Sequence, residues 1–81
     1  MTNAQELHLA GKPGERVVVG VYDVIGRRIR RLYDGSLHGG TAALVWDGRN
    51  DDGVSVASGL YWYAVRGDEG VAKRKVVYVR R

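Results

Sequence analysis

Trp46-Asp47-Gly48-Arg49-Asn50-Asp51-Asp52-Gly53, followed by Gly59-Leu60-Tyr61-Trp62-Tyr63, is the stretch that decides the fold. A dense polar turn cluster runs into an aromatic, alternating segment. Asp, Asn and Gly supply the local hydrogen bonds and unusual dihedrals of a tight loop. Trp and Tyr supply apolar area for a pleated, half-buried surface. The pair reads as the corner of a small β-sandwich, built to hold a loop rather than to carry out a reaction.

Working outward, the rest of the chain repeats this pattern of short apolar runs punctuated by Gly. Residues 5–10 form a candidate strand with Leu7 and Leu9 alternating, and residues 11–14 a turn. Residues 16–23 give the clearest strand. Val17, Val19 and Val21 share one face, Val18, Gly20 and Tyr22 the other. Asp23-Val24-Ile25-Gly26-Arg27 suits a type I hairpin turn with a Gly bulge. In residues 28–33, Ile29 and Leu32 are spaced by three, which we read as a strand carrying a bulge. A polar loop follows over 34–41, then a strand over 42–46 and a short edge segment over 54–57. Residues 59–66 set Tyr61, Tyr63 and Val65 against Leu60, Trp62 and Ala64. A hairpin turn over 67–70 leads into a last strand over 71–80. Turn signals every ten residues or so predict an all-β, Ig-like antiparallel sandwich of about seven strands.

Eighty-one residues make one domain spanning 1–81. There are no cysteines, so disulfides and thiolate metal sites are excluded. No apolar run approaches the roughly 20 residues of a membrane-spanning helix. Residues 1–6 lack the basic-then-apolar pattern of a signal peptide, so if the domain is exported its signal is expected to lie elsewhere. The net charge is +4, with ten Arg among 13 basic residues, and favours anionic partners.

The basic residues cluster at Arg27, Arg28, Arg30 and Arg31, at Lys73, Arg74 and Lys75, and at Arg80 and Arg81. Arg presents a planar fork to phosphate oxygens, so the first cluster is a candidate anion site. A bulged, alternating strand would instead split the four between faces or set them along an edge, where charge discourages aggregation. We therefore expect no nucleic-acid partner. Trp62, opposite the tyrosines, is the candidate exposed aromatic. With the arginines it could form a platform for an anionic surface glycan such as lipopolysaccharide. Val24 and Ile25 sit at a hairpin tip, where they either meet a partner or fold back on the sandwich end. His8 and His38 lack a ligand at metal spacing. Ser36, Ser55 and Ser58 lack a nucleophile elbow or a local base, so we expect no enzyme activity and no cofactor.

Tyr22 to Arg27, Trp46-Asp47-Gly48 with Asp52-Gly53, Ala57 to Tyr63, and Lys75-Val76-Val77 occur in one order across nearly the whole chain. In that order they resemble the Ig-like domain of the flagellar hook-capping type and the C-terminal sorting domains of type IX (Por) secretion. The resemblance to sorting domains implies a module recognised by an outer-membrane translocon. It would travel through the periplasm to a secreted or cell-surface location, with the strand from Val71 to Arg81 and its basic residues as the contact. The resemblance to hook-capping domains implies a structural assembly or spacer module that binds a neighbouring domain of its parent protein.

Asp47, Asp51 and Asp52 could be mistaken for a calcium loop, but Arg49 stands at a ligand position and Ser58 replaces the bidentate Glu. Asx turns account for these residues. Adding calcium is expected to leave the Tm unchanged in a thermal melt. A rise in Tm with calcium would overturn the turn reading.

Overall fold

The computed structural model describes residues 5–68 and 70–80. Among them lie six strands: β1 (Gln5–Ala10), β2 (Arg16–Tyr22), β3 (Arg28–Ser36), β4 (Thr41–Trp46), β5 (Gly59–Gly67) and β6 (Gly70–Tyr78). One turn of 3-10 helix, His38–Gly40, precedes β4. No helix of the described residues is long and apolar enough to cross a membrane. The strands form two antiparallel sheets in a sandwich-like arrangement. One pairs β1 with β4; the other has the order β3-β2-β5-β6.

Alternation places the core between the sheets. Val17, Val19 and Val21 of β2 and Tyr61 and Tyr63 of β5 point inward, as their spacing predicts. They meet Leu7 and Leu9 of β1, Trp46 of β4, Val76 and Tyr78 of β6, and Leu37 from the loop before β4. Trp46 is fully enclosed. Its ring lies 5.2 Å from Tyr61 in an edge contact and 5.2 Å from Tyr78. The polar tips are satisfied locally. Trp46 Nε1–H donates to Arg49 O at 2.9 Å, and the Tyr61 hydroxyl donates to Ala57 O at 2.6 Å. Burial pushes the Tyr63 phenol up to about 12.

The helix-like spacing of Ile29 and Leu32 comes from two bulges in β3. The pairing slips between Val19 and Gly20 and again between Val21 and Tyr22, leaving Leu32 and Ile29 as the extra residues. Both extra side chains pack against the core. β3 is also longer than expected. Asp34, Gly35 and Ser36, read as loop, pair with Val18, Val17 and Arg16.

The seventh strand is absent from the described residues. The segment over 54–57 forms only an isolated bridge, Arg49 to Ser55. Its backbone is spent inside its own loop. Asn50 N–H donates to Val54 O, and Val56 N–H donates to Gly48 O, each at 2.9 Å. Little backbone is left for a ladder. The last strand ends at Tyr78, two residues sooner than expected, and Arg80 N–H donates to the Ser58 hydroxyl at 2.8 Å.

Two carboxylates fix turns. Asp23 Oδ1 accepts the N–H groups of Ile25 and Arg27 at 3.1 and 2.9 Å, and Oδ2 accepts Arg27 Nε–H at 2.9 Å. Burial works against its charge, but these hydrogen bonds prevail and hold the carboxyl below its ordinary value. Glu15 joins distant turns, accepting Asp68 N–H at 2.9 Å and Lys12 N–H at 3.1 Å, and these bonds also lower its pKa.

Two predictions follow from these contacts. Gly48 has φ +77°, and a Cβ there would strike the Tyr78 ring. Gly53 has φ +80° but open space around it. Gly48→Ala should cost about 3 kcal/mol from strain plus overpacking, and Gly53→Ala about 1 kcal/mol from strain alone, read by urea unfolding. A carboxyl lowered by folding stabilises above its unfolded value of about 3.9, and that contribution is lost as pH falls through the folded value. Asp23→Asn should therefore lower the Tm at pH 7, with the deficit shrinking as melts are taken at successively lower pH below about 4.

Candidate interaction surface

The four-stranded sheet has a second face, turned away from the core. β2 contributes Val18, Gly20 and Tyr22 to it, and β5 contributes Trp62, Ala64 and Arg66, paired as Tyr22 with Trp62, Gly20 with Ala64 and Val18 with Arg66. β6 adds Lys75 opposite Trp62, Lys73 opposite Ala64 and Val71 opposite Arg66. The bulges in β3 return Arg28 opposite Tyr22 and Arg31 opposite Gly20 to the same face. The result is a basic rim around an aromatic centre. Trp62 is half-buried within it, not the open platform its position suggested. The Asp23–Arg27 hairpin overhangs one end and leaves a shallow cleft beside Trp62, Ala64 and Lys73. Val24 and Ile25 at its tip are 65% and 71% exposed, which settles the alternative left open by the sequence: the tip does not fold back.

The predicted basic residues thus divide. Arg28, Arg31, Lys73 and Lys75 share the outer face with Trp62, while Arg74 falls on the opposite side of β6, opposite Tyr63. Arg30 pairs with Val21, and its guanidinium turns to the loop, 3.3 Å from Asp47 Oδ1 and 3.5 Å from Arg49 O. Arg27 is held in its own turn by Asp23. Arg80 lies past β6, and Arg81 lies outside the described residues. Sequence reasoning passed over Arg66, although its parity with Trp62 and Ala64 places it on the outer face.

The two edges of this sheet also differ. On β3 every arginine faces a carboxylate: Arg28 is 3.7 Å from Asp51, Arg30 3.3 Å from Asp47, and Arg31 3.9 Å from Asp34. Asp51 further serves as a substitute strand residue. Its Oδ1 accepts Arg31 N–H at 2.8 Å, and its own N–H donates to Ile29 O at 3.1 Å. Asp51 of the turn cluster therefore occupies part of the β3 edge, a role the sequence did not reveal. On β5 and β6, by contrast, Arg66, Lys73, Arg74 and Lys75 make no ion pair among the described residues. Exposed ion pairs add about 0–1 kcal/mol each, so the asymmetry matters for where free charge resides more than for stability.

Comparison with known proteins fixes the family. Residues 4–70 match the family described as the FlgD Ig-like domain. The chain is 34% identical over 59 residues to the basal-body rod modification protein FlgD of Salmonella typhimurium and to that of Salmonella typhi. The aligned part is 73% of this chain and 25% of each relative, so the chain spans about a quarter of the length of the curated relatives it matches. No solved structure matches the chain. These matches correct one expectation. A secreted, cell-surface location reached through type IX sorting is overturned, because both the family and the relatives are those of the flagellar rod-modification protein. The ordered motifs around Tyr22, Trp46 and Tyr61 are shared ground for both families of the resemblance, and it is the flagellar side that the matches select: the chain belongs to the FlgD Ig-like domain family.

Proposed function

We propose that this domain is a non-catalytic structural module of a flagellar hook-capping protein, acting by contact with a neighbouring protein or with another domain of its parent. The observation that carries this reading is the match of residues 4–70 to the FlgD Ig-like domain. The geometry supports it. The aromatic and carboxylate side chains that could suggest chemistry are occupied in packing and turns: Trp46 in the core, Asp23 in a hairpin, Asp51 along β3. What faces solvent is contact surface, namely an exposed apolar hairpin tip and a basic sheet edge.

Deleting the codons for residues 5–80 from the gene should reduce the number of completed hooks per cell by more than tenfold, counted by negative-stain electron microscopy of purified basal bodies. Hooks of normal number and length in the deletion strain would overturn the assembly role.

A further inference from the structure

We propose that the outer edge of β6 is the docking site for an acidic, extended peptide segment of the partner, which adds to the four-stranded sheet as a fifth strand. This rests on the assembly reading and names the surface and partner chemistry it would use.

β6 ends the sheet order, so among the described residues its far side carries no strand. The ladder with β5 closes at Gly67 and Gly70 across a two-residue loop. In such a hairpin the closing pair exchanges both hydrogen bonds, and the pairs alternate from there. Val71, Lys73, Lys75 and Val77 therefore direct their N–H and C=O groups away from β5, toward the open side. No hydrogen bond among the described residues occupies them. On the β3 edge Asp51 already occupies the Arg31 N–H and the Ile29 C=O, whereas along β6 no comparable contact is made among the described residues.

The side chains along that edge define what would fit. The outer face reads Val71, Lys73, Lys75, Val77, with both valines more than half exposed at 54% and 60%. Arg74 stands between them on the other face. An incoming strand therefore meets cations on both of its faces in the centre and apolar side chains at its ends. Cross-strand pairs of opposite charge stabilise a ladder, and like charges directly opposite destabilise it. A second copy of β6 would bring Lys73, Arg74 and Lys75 against the same three charges, which disfavours self-pairing. Edge lysines alone are a common guard against aggregation. That role does not account for the contrast across the sheet, where the arginines of β3 are neutralised by the chain's own carboxylates and the cations of β5 and β6 are not. Extended peptides commonly dock in this way, with the main chain supplying affinity and side chains selectivity.

The test is NMR titration of the full chain with a synthetic nine-residue peptide alternating valine and glutamate, and with its glutamine counterpart. The glutamate peptide should shift the amides of Val71, Lys73, Lys75 and Val77 most. It should bind at least about tenfold more tightly than the glutamine peptide and weaken as salt is raised. Lys73→Glu with Lys75→Glu should lose that selectivity while the β2 and β3 amides stay unshifted, showing an intact fold. Equal binding of both peptides, shifts centred on another edge, or no shifts would overturn the proposal. Tighter binding of a heparin hexasaccharide than of the glutamate strand would overturn it in favour of a glycan surface. Hooks lost on deleting residues 5–80 but normal in the double charge reversal would refute strand docking alone. Peptide binding at β6 with normal hooks after the deletion would refute the assembly role alone.

Discussion

The Trp46 indole is the piece on which the rest of the sandwich depends. It stands at the end of β4, in the smaller sheet, and reaches Tyr61 and Tyr78 of the larger one, so a single side chain joins both layers. Its N–H is tied to Arg49 O, which pins the first turn of the polar loop to the core. The loop in turn must pass beside Tyr78 without a side chain at position 48. Aromatic area in a chain this short supplies a large share of the burial available to it. Loop and core are thus one packing problem.

A second layer of organisation is electrostatic. The polar loop carries Asp47 and Asp51 to the side of β3, where they meet Arg28, Arg30 and the Arg31 backbone. The same residues close the loop, cap a strand edge and cancel a cluster of positive charge. Because this compensation is confined to one edge, the positive balance of the whole chain is displaced to the opposite edge. A small sandwich thereby acquires two unlike sides from a modest number of charges.

Much of this was legible in the sequence. Strict alternation in β2 and β5 assigned Val17, Val19, Val21, Tyr61 and Tyr63 to the core, and the Asp and Gly spacing located the turns. The irregular spacing of Ile29 and Leu32 correctly signalled a bulge. What could not be read came from partners distant in the chain. Asp34 to Ser36 look like loop residues until Arg16 to Val18 are placed beside them. Val54 to Ala57 have strand composition, yet Asn50 and Gly48 claim their hydrogen bonds first. Arg27, Arg28, Arg30 and Arg31 form one cluster along the chain, but two bulges and four carboxylates give each a different partner. The division between flagellar and sorting relatives was closed to residue-level reasoning as well, since the shared motifs serve the sandwich corner and its turns, which any member needs.

The contact between Trp46 and Tyr78 has a mechanical consequence. Gln5 lies opposite Trp46 in the smaller sheet, and Tyr78 lies opposite Gly59 in the larger, so the outermost ends of β1 and β6 leave the body at one pole. Tension applied through flanking chain would open each ladder one rung at a time, like a zipper, instead of loading all its rungs in shear. The sandwich is therefore weakest to a pull applied between the outer ends of β1 and β6.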